Sequence, residues 1–119
     1  MEQAAGQVVE QIVEQGMLYD FYGPLLTGHQ QEIYELVVYQ NLSLNEIAEQ
    51  KGISKQAVSD LVRRATAQMR GYEKSLGMIA RFQQLRKSCE ELQKAASGIQ
   101  DKAAADRIRS LADEICSEL

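Results

Sequence analysis

The sequence has 119 residues, 45% of them hydrophobic, with one proline, eight glycines and a net charge of −4. That length and composition suit one modest helical core with little loop, and no apolar run approaches the roughly 18 positions that cross a bilayer. The acidic, polar start MEQAAGQVVEQ does not read as a signal peptide, so an all-α cytoplasmic protein without membrane insertion is expected. A first helix is expected over residues 3–22, where Val8, Val9, Ile12, Val13, Leu18, Phe21 and Tyr22 recur at near-helical spacing. Gly23-Pro24 ends it in the usual order of glycine past the last turn, then proline. Tyr19, Phe21, Tyr22, Tyr34 and Tyr39 crowd into a short stretch, and aromatics at helical spacing are read as core.

Thr27-Gly-His-Gln30 has the form of a capping box, opening a second helix that runs to about Gln40 and buries Ile33, Leu36 and Val37, with Tyr34 a further candidate. Ser43-Leu-Asn-Glu46 is a second such box, with Leu42 and Ile47 placed as a hydrophobic staple. The short third helix stops at Gly52. Ser54 then caps a fourth helix, stapled by Ile53 and Val58, that continues past Arg70 to a break near Gly77. Leu76, Ile79, Phe82, Leu85, Cys89 and Leu92 form a long amphipathic stripe. After Ser97-Gly98 a last helix, about Asp101–Ser117, presents Ala104, Ile108, Leu111, Ala112 and Ile115. The expected division is a helical domain over 1–76 containing a helix-turn-helix at 43–70. An extension over 77–119 then packs on that domain or on a dimer partner.

The informative spacing is Ala48, Gly52, Val58 and Leu61. Two helices meeting at a steep angle need a small residue where they approach, and Ala48 provides it. The turn needs a residue tolerant of positive φ, and Gly52 is one. Ser54 caps the second helix, and Val58 and Leu61 pack it on the first. This is a helix-turn-helix pattern, in which the second helix offers its outward side chains to a nucleic-acid groove. The outward set is Lys55, Gln56, Ser59 and Arg63, flanked by Arg64. Gln can read adenine, while Lys and Arg take guanine or phosphate. Asp60 opposes phosphate unless Arg63 or Arg64 pairs with it, and the same face also reads as a solvated surface with local ion pairs.

Charge distribution supports the middle segment. Residues 1–42 carry Glu2, Glu10, Glu14, Asp20, Glu32 and Glu35 with no Lys or Arg. Residues 43–72 carry Lys51, Lys55, Arg63, Arg64 and Arg70 against Glu46, Glu49 and Asp60. Any nucleic acid is therefore expected on this segment and not by bulk attraction.

No catalytic constellation emerges. The single histidine, His29, sits in a capping box and reads as a solvated helix residue. Cys89 and Cys116 match no zinc or redox spacing and read as reduced core fillers. Glu90-Glu91 and Asp113-Glu114 read as solvated helix pairs, and there is no phosphate-binding glycine loop. No enzyme, metal or cofactor is expected.

Together Asp20-Phe-Tyr-Gly-Pro-Leu-Leu-Thr27, Gln30, Ser43-Leu-Asn-Glu-Ile-Ala48, Ile53-Ser-Lys-Gln-Ala-Val-Ser-Asp60 and Arg63-Arg64 resemble the YlxM family over roughly residues 17–95. These are small bacterial helix-turn-helix proteins similar in architecture to region 4 of sigma factors. Members are typically encoded beside signal recognition particle genes, which implies a regulatory or accessory role in that pathway. The ligand would be DNA or the particle's RNA; the alternative is an adaptor that keeps the fold but docks on particle proteins. The apolar stripes after Leu76 need partners, so a homodimer is expected.

Overall fold

A computed structural model describes the backbone of residues 2–118 and the side chains of residues 10–118. The described residues form six α-helices and no strand: α1 Glu2–Tyr22, α2 Gly28–Val38, α3 Leu44–Lys51, α4 Lys55–Leu76, α5 Met78–Ser97 and α6 Lys102–Glu118. They fall into two compact units, the first ending at Gly77 and the second beginning at Met78.

In the first unit α4 is the central strut, and α1, α2 and α3 each pack on it. Its buried stripe is Val58, Val62, Ala65, Thr66 and Met69, recurring every three or four residues. Leu18, Tyr19 and Tyr22 from α1, Ile33 and Tyr34 from α2 and Ile47 from α3 complete the core. Burial in α1 starts only at Leu18: Ile12 and Val13, expected inside, are 42% and 57% exposed. The side chains of Val8 and Val9 lie outside the described residues.

The aromatic residues do not all go inside. Tyr19 stacks on Tyr34 with ring centroids 5.4 Å apart, and each buries its ring. Tyr22 is buried and its hydroxyl donates to Glu73 Oε1 at 2.5 Å, tying α1 to α4. Phe21 is half-buried. Tyr39 is 59% exposed, contrary to the core expectation. It is the residue that ends α2, and its hydroxyl reaches out to Asp20 at 2.8 Å while its ring meets Tyr19 edge-on.

Gly23 has a different purpose from a left-handed helix stop. Among the described glycines only Gly52 and Gly77 have positive φ. Gly23 instead opens a 3-10 turn over Gly23–Leu25, and a Cβ there would meet the Tyr19 ring at 2.9 Å. It is the small residue that lets the turn close against a buried ring. Past α2, which ends at Val38 and not Gln40, the reversal is made by Asn41 with φ 53, a conformation Asn tolerates better than most residues.

The second unit is the hairpin of α5 and α6. Its buried seam is built of small residues, Cys89 and Ala96 on α5 facing Ala105 and Ala112 on α6. Small side chains allow close helix approach, and this moves the larger apolar residues to the margins. Leu85, Leu92, Leu111 and Ile115, read from the sequence as the packing stripes, are therefore between 40% and 50% exposed. Ile79, Phe82, Ala104 and Ile108 are half-buried. No described helix is long and apolar enough to cross a membrane.

Candidate nucleic-acid interface

The turn between α3 and α4 is set by local chemistry. The Ser43 hydroxyl accepts from Glu46 N, and Glu46 Oε1 accepts from Ser43 N at 3.1 Å. Those hydrogen bonds hold the exposed Glu46 carboxyl below its usual pKa. At the far end Gly52 takes φ 68, and the Ala48 carbonyl accepts from both Gly52 N and Ile53 N. Ser54 then caps α4, its hydroxyl accepting from Ala57 N at 3.0 Å. Ile47 and Val58, on either side of the turn, are fully buried. Ala48 is half-buried where the helices approach. Leu61 is only half-buried, and Val62 takes the inward position assigned to it. The register of Val58 explains this, since the inward face continues at the fourth residue on.

With α4 anchored by that stripe, Lys55, Gln56, Arg63 and Arg64 are all exposed. Ser59 is not: it is half-buried, lining a groove of about 540 Å3 with Arg63, Thr66 and the α1 residues Gln11 and Gln15. Nothing in the periodicity of α1 places those glutamines beside α4. The carboxylate of Asp60 is shared: Gln56 Nε2 donates to its Oδ1 at 3.2 Å and Arg63 Nη2 donates to the same atom at 3.1 Å. Arg64 takes no part in that pairing. Among the described residues, neither Lys55 nor Arg64 has a side-chain hydrogen bond or ion pair.

The two other cations of this segment are fixed to neighbouring helices. Lys51 Nζ lies 3.5 Å from Glu32 on α2. Arg70 Nε donates to Glu14 Oε1 on α1 at 2.6 Å, which raises the guanidinium pKa further. Within residues 43–72, the positive charge open to a ligand therefore lies on the first half of α4, and the helix dipole favours anions at its first turn, beside Lys55.

The residues read as uninvolved are not part of the α3–α4 turn or of α4. His29 is exposed in the first turn of α2. Glu90, Glu91, Asp113 and Glu114 are exposed on the hairpin, and the described residues hold no cluster of three metal-ligating side chains. Of the two cysteines read as core fillers, one departs from that expectation. Cys89 is buried, whereas Cys116 is half-exposed.

The sequence profile of a family described as "Putative helix-turn-helix protein, YlxM / p13 like" matches residues 9–109. The chain belongs to this family. A UPF0122 protein of Symbiobacterium thermophilum is 41% identical over 82% of this chain and 92% of its own length. One from Thermoanaerobacter sp. is 35% identical over 87% of this chain and 88% of its own length. A third, from Halalkalibacterium halodurans, is 31% identical over 91% and 96%. The match spans the capped turn, the exposed half of α4 and most of the α5–α6 hairpin of this YlxM/p13-like protein.

Proposed function

We propose that the chain is a nucleic-acid-binding helix-turn-helix protein, a regulator or accessory of the signal recognition particle pathway in the cytoplasm. Its ligand would be DNA or the particle's RNA. The observation that carries this is the exposed set Lys55, Gln56, Arg63 and Arg64 on the first half of α4, two of whose members, Lys55 and Arg64, have no side-chain partner among the described residues. The pathway assignment rests on the resemblance to the YlxM family. The protein would act by binding, with no cofactor and no catalytic step.

Asp60 is compatible with this role. An exposed ion pair of this kind is worth about 0–1 kcal/mol, whereas a bidentate base contact contributes about 1–3 kcal/mol. Exchanging Asp60 for a base or phosphate is therefore favourable for Gln56 and Arg63. Until then the shared carboxylate holds both side chains along one face of α4, limiting the rotamer entropy lost on binding.

The test is a titration of the purified chain with duplex DNA from its own upstream region and, separately, with the particle's RNA across a salt series. Binding should weaken steeply with salt, and the Lys55→Ala/Gln56→Ala/Arg63→Ala/Arg64→Ala variant should lose it at unchanged helicity. A change of about three in the log–log salt slope corresponds to three lost phosphate contacts. Unchanged binding by the variant would falsify the assignment.

A second reading has support in two observations. Gln56 and Arg63 are already engaged by Asp60, and Leu85, Leu92, Leu111 and Ile115 are exposed. Both suit an adaptor that docks on particle proteins. It predicts no nucleic-acid shift at moderate salt and co-purification with a particle protein.

A further inference from the structure

The seam of the α5–α6 hairpin brings together two thiols that are far apart in sequence. Cys89 is buried on α5, in line with Ala96 one heptad on. On α6, Ala105 and Ala112 are buried, and Cys116 follows one turn beyond Ala112 on the same side. The hairpin is antiparallel, so Ala96 and Ala105 lie nearer the turn while Cys89 lies level with Ala112 and Cys116. Small residues along the whole seam keep the two backbones close, and close backbones are the first requirement for a bridge between β-carbons. The register meets the second, because Gln93 Nε2 donates to Asp113 Oδ1 at 2.7 Å and Arg109 Nη2 donates to the Ser97 hydroxyl at 3.3 Å, and one turn further along the same ladder Cys89 stands level with Cys116.

The two sulfurs are not equivalent. Cys89 is 5% exposed. Cys116 is half-exposed and lines a cavity of about 320 Å3 with Phe82, Arg86, Glu90 and Gln93. Cys116 lines that cavity and Cys89 does not, so a small molecule entering it meets Cys116.

We propose that Cys89 and Cys116 form a dithiol modification site that closes to an intramolecular disulfide by exchange with a low-molecular-weight disulfide. Cys116, as thiolate, attacks one sulfur of the small disulfide. The small molecule's S–S bond breaks, one small thiol leaves, and Cys116 carries the mixed disulfide. Cys89, as thiolate, then attacks the Cys116 sulfur, releasing the second small thiol and forming the Cys89–Cys116 bond. Two electrons pass from the cysteines to the small disulfide, and the two cysteine protons end on the two small thiols. The product staples α5 to α6.

The reduced pair is slow to react, because the hydrogen bond to Cys89 first and burial second push the Cys116 thiol up to about 11. At pH 8 only about one molecule in a thousand carries that thiolate. The reaction is therefore to be followed to equilibrium and not by rate.

The full-length chain is equilibrated without oxygen in glutathione buffers of graded oxidised-to-reduced ratio, acid-quenched, alkylated and weighed by mass spectrometry. The expected oxidised product has lost two hydrogens, carries no glutathione, takes no alkylating agent and migrates as a single chain without reductant. Amide exchange in α6 should slow by on the order of tenfold once the bridge forms. Cys89→Ala should accumulate glutathione on Cys116, and Cys116→Ala should stay unmodified at Cys89. Glutathione retained on Cys116 of the unaltered chain, or disulfide-linked pairs of chains as the main product, would overturn the proposal. The unaltered chain alone decides it if either variant fails to fold.

Discussion

Tyr34 places a phenol at zero exposure, with its oxygen 2.7 Å from the Thr66 hydroxyl, which itself donates to the Val62 carbonyl. Burial raises the Tyr34 pKa above its ordinary value. Tyr19 is raised by burial first and by its hydrogen bond to Glu35 second, and Tyr39 chiefly by its bond to Asp20. All three favour the neutral phenol in the folded state, so their stabilising contribution is complete below the unfolded value of about 10 and declines as pH rises beyond it. The urea midpoint should therefore be flat from pH 7 to about 9 and fall above about 10, with the fall shallower in Tyr19→Phe. A midpoint unchanged up to about pH 11 would contradict this. The tyrosines also show what the sequence could not separate. Tyr34 and Tyr39 have equal claims to the core by periodicity, but Tyr39 stands at the end of α2, where the phenol reaches an exposed carboxylate.

At the scale of elements, the helix boundaries that rest on caps were legible. Thr27, Ser43 and Ser54 each accept the predicted backbone hydrogen bond, because the capping interaction spans only three residues. Gly52 was equally legible, and its role is purely conformational: nothing lies within 4 Å of an added Cβ, yet φ is +68. Gly52→Ala should cost about 1–2 kcal/mol in equilibrium unfolding, and a variant as stable as the parent would show that the turn relaxes. Tertiary detail was less accessible. Leu61 and Val62 are adjacent apolar residues, and only the orientation of α4 on α2 and α3 decides that Val62 points in. On the hairpin, the larger side chains Leu85, Leu92, Leu111 and Ile115 suggested the packing face. The observed seam keeps Cys89 and Ala112 of those stripes and adds Ala96 and Ala105, whose small size gives no strong sequence signal although it permits the closer approach.

For the whole molecule, the exposed apolar residues of α5 and α6 and the exposed polar and basic set of α4 are the two surfaces to be accounted for. The first leads to a quantitative expectation: at micromolar concentration, sedimentation should give a dimer, and Leu92→Glu/Leu111→Glu should return it to the monomer with helicity intact. A single monomeric mass for the parent chain would exclude a homodimer at that concentration. The second surface holds the central claim, that the first half of α4 is where nucleic acid binds. Residue-resolved NMR of the isotopically labelled chain, titrated with its upstream duplex and with the particle's RNA, tests that claim most directly. The account predicts that amide shifts and line broadening centre on residues 55–64 for at least one of the two ligands, with the 78–118 hairpin little changed. Perturbations confined to the hairpin, or none with either ligand, would contradict it.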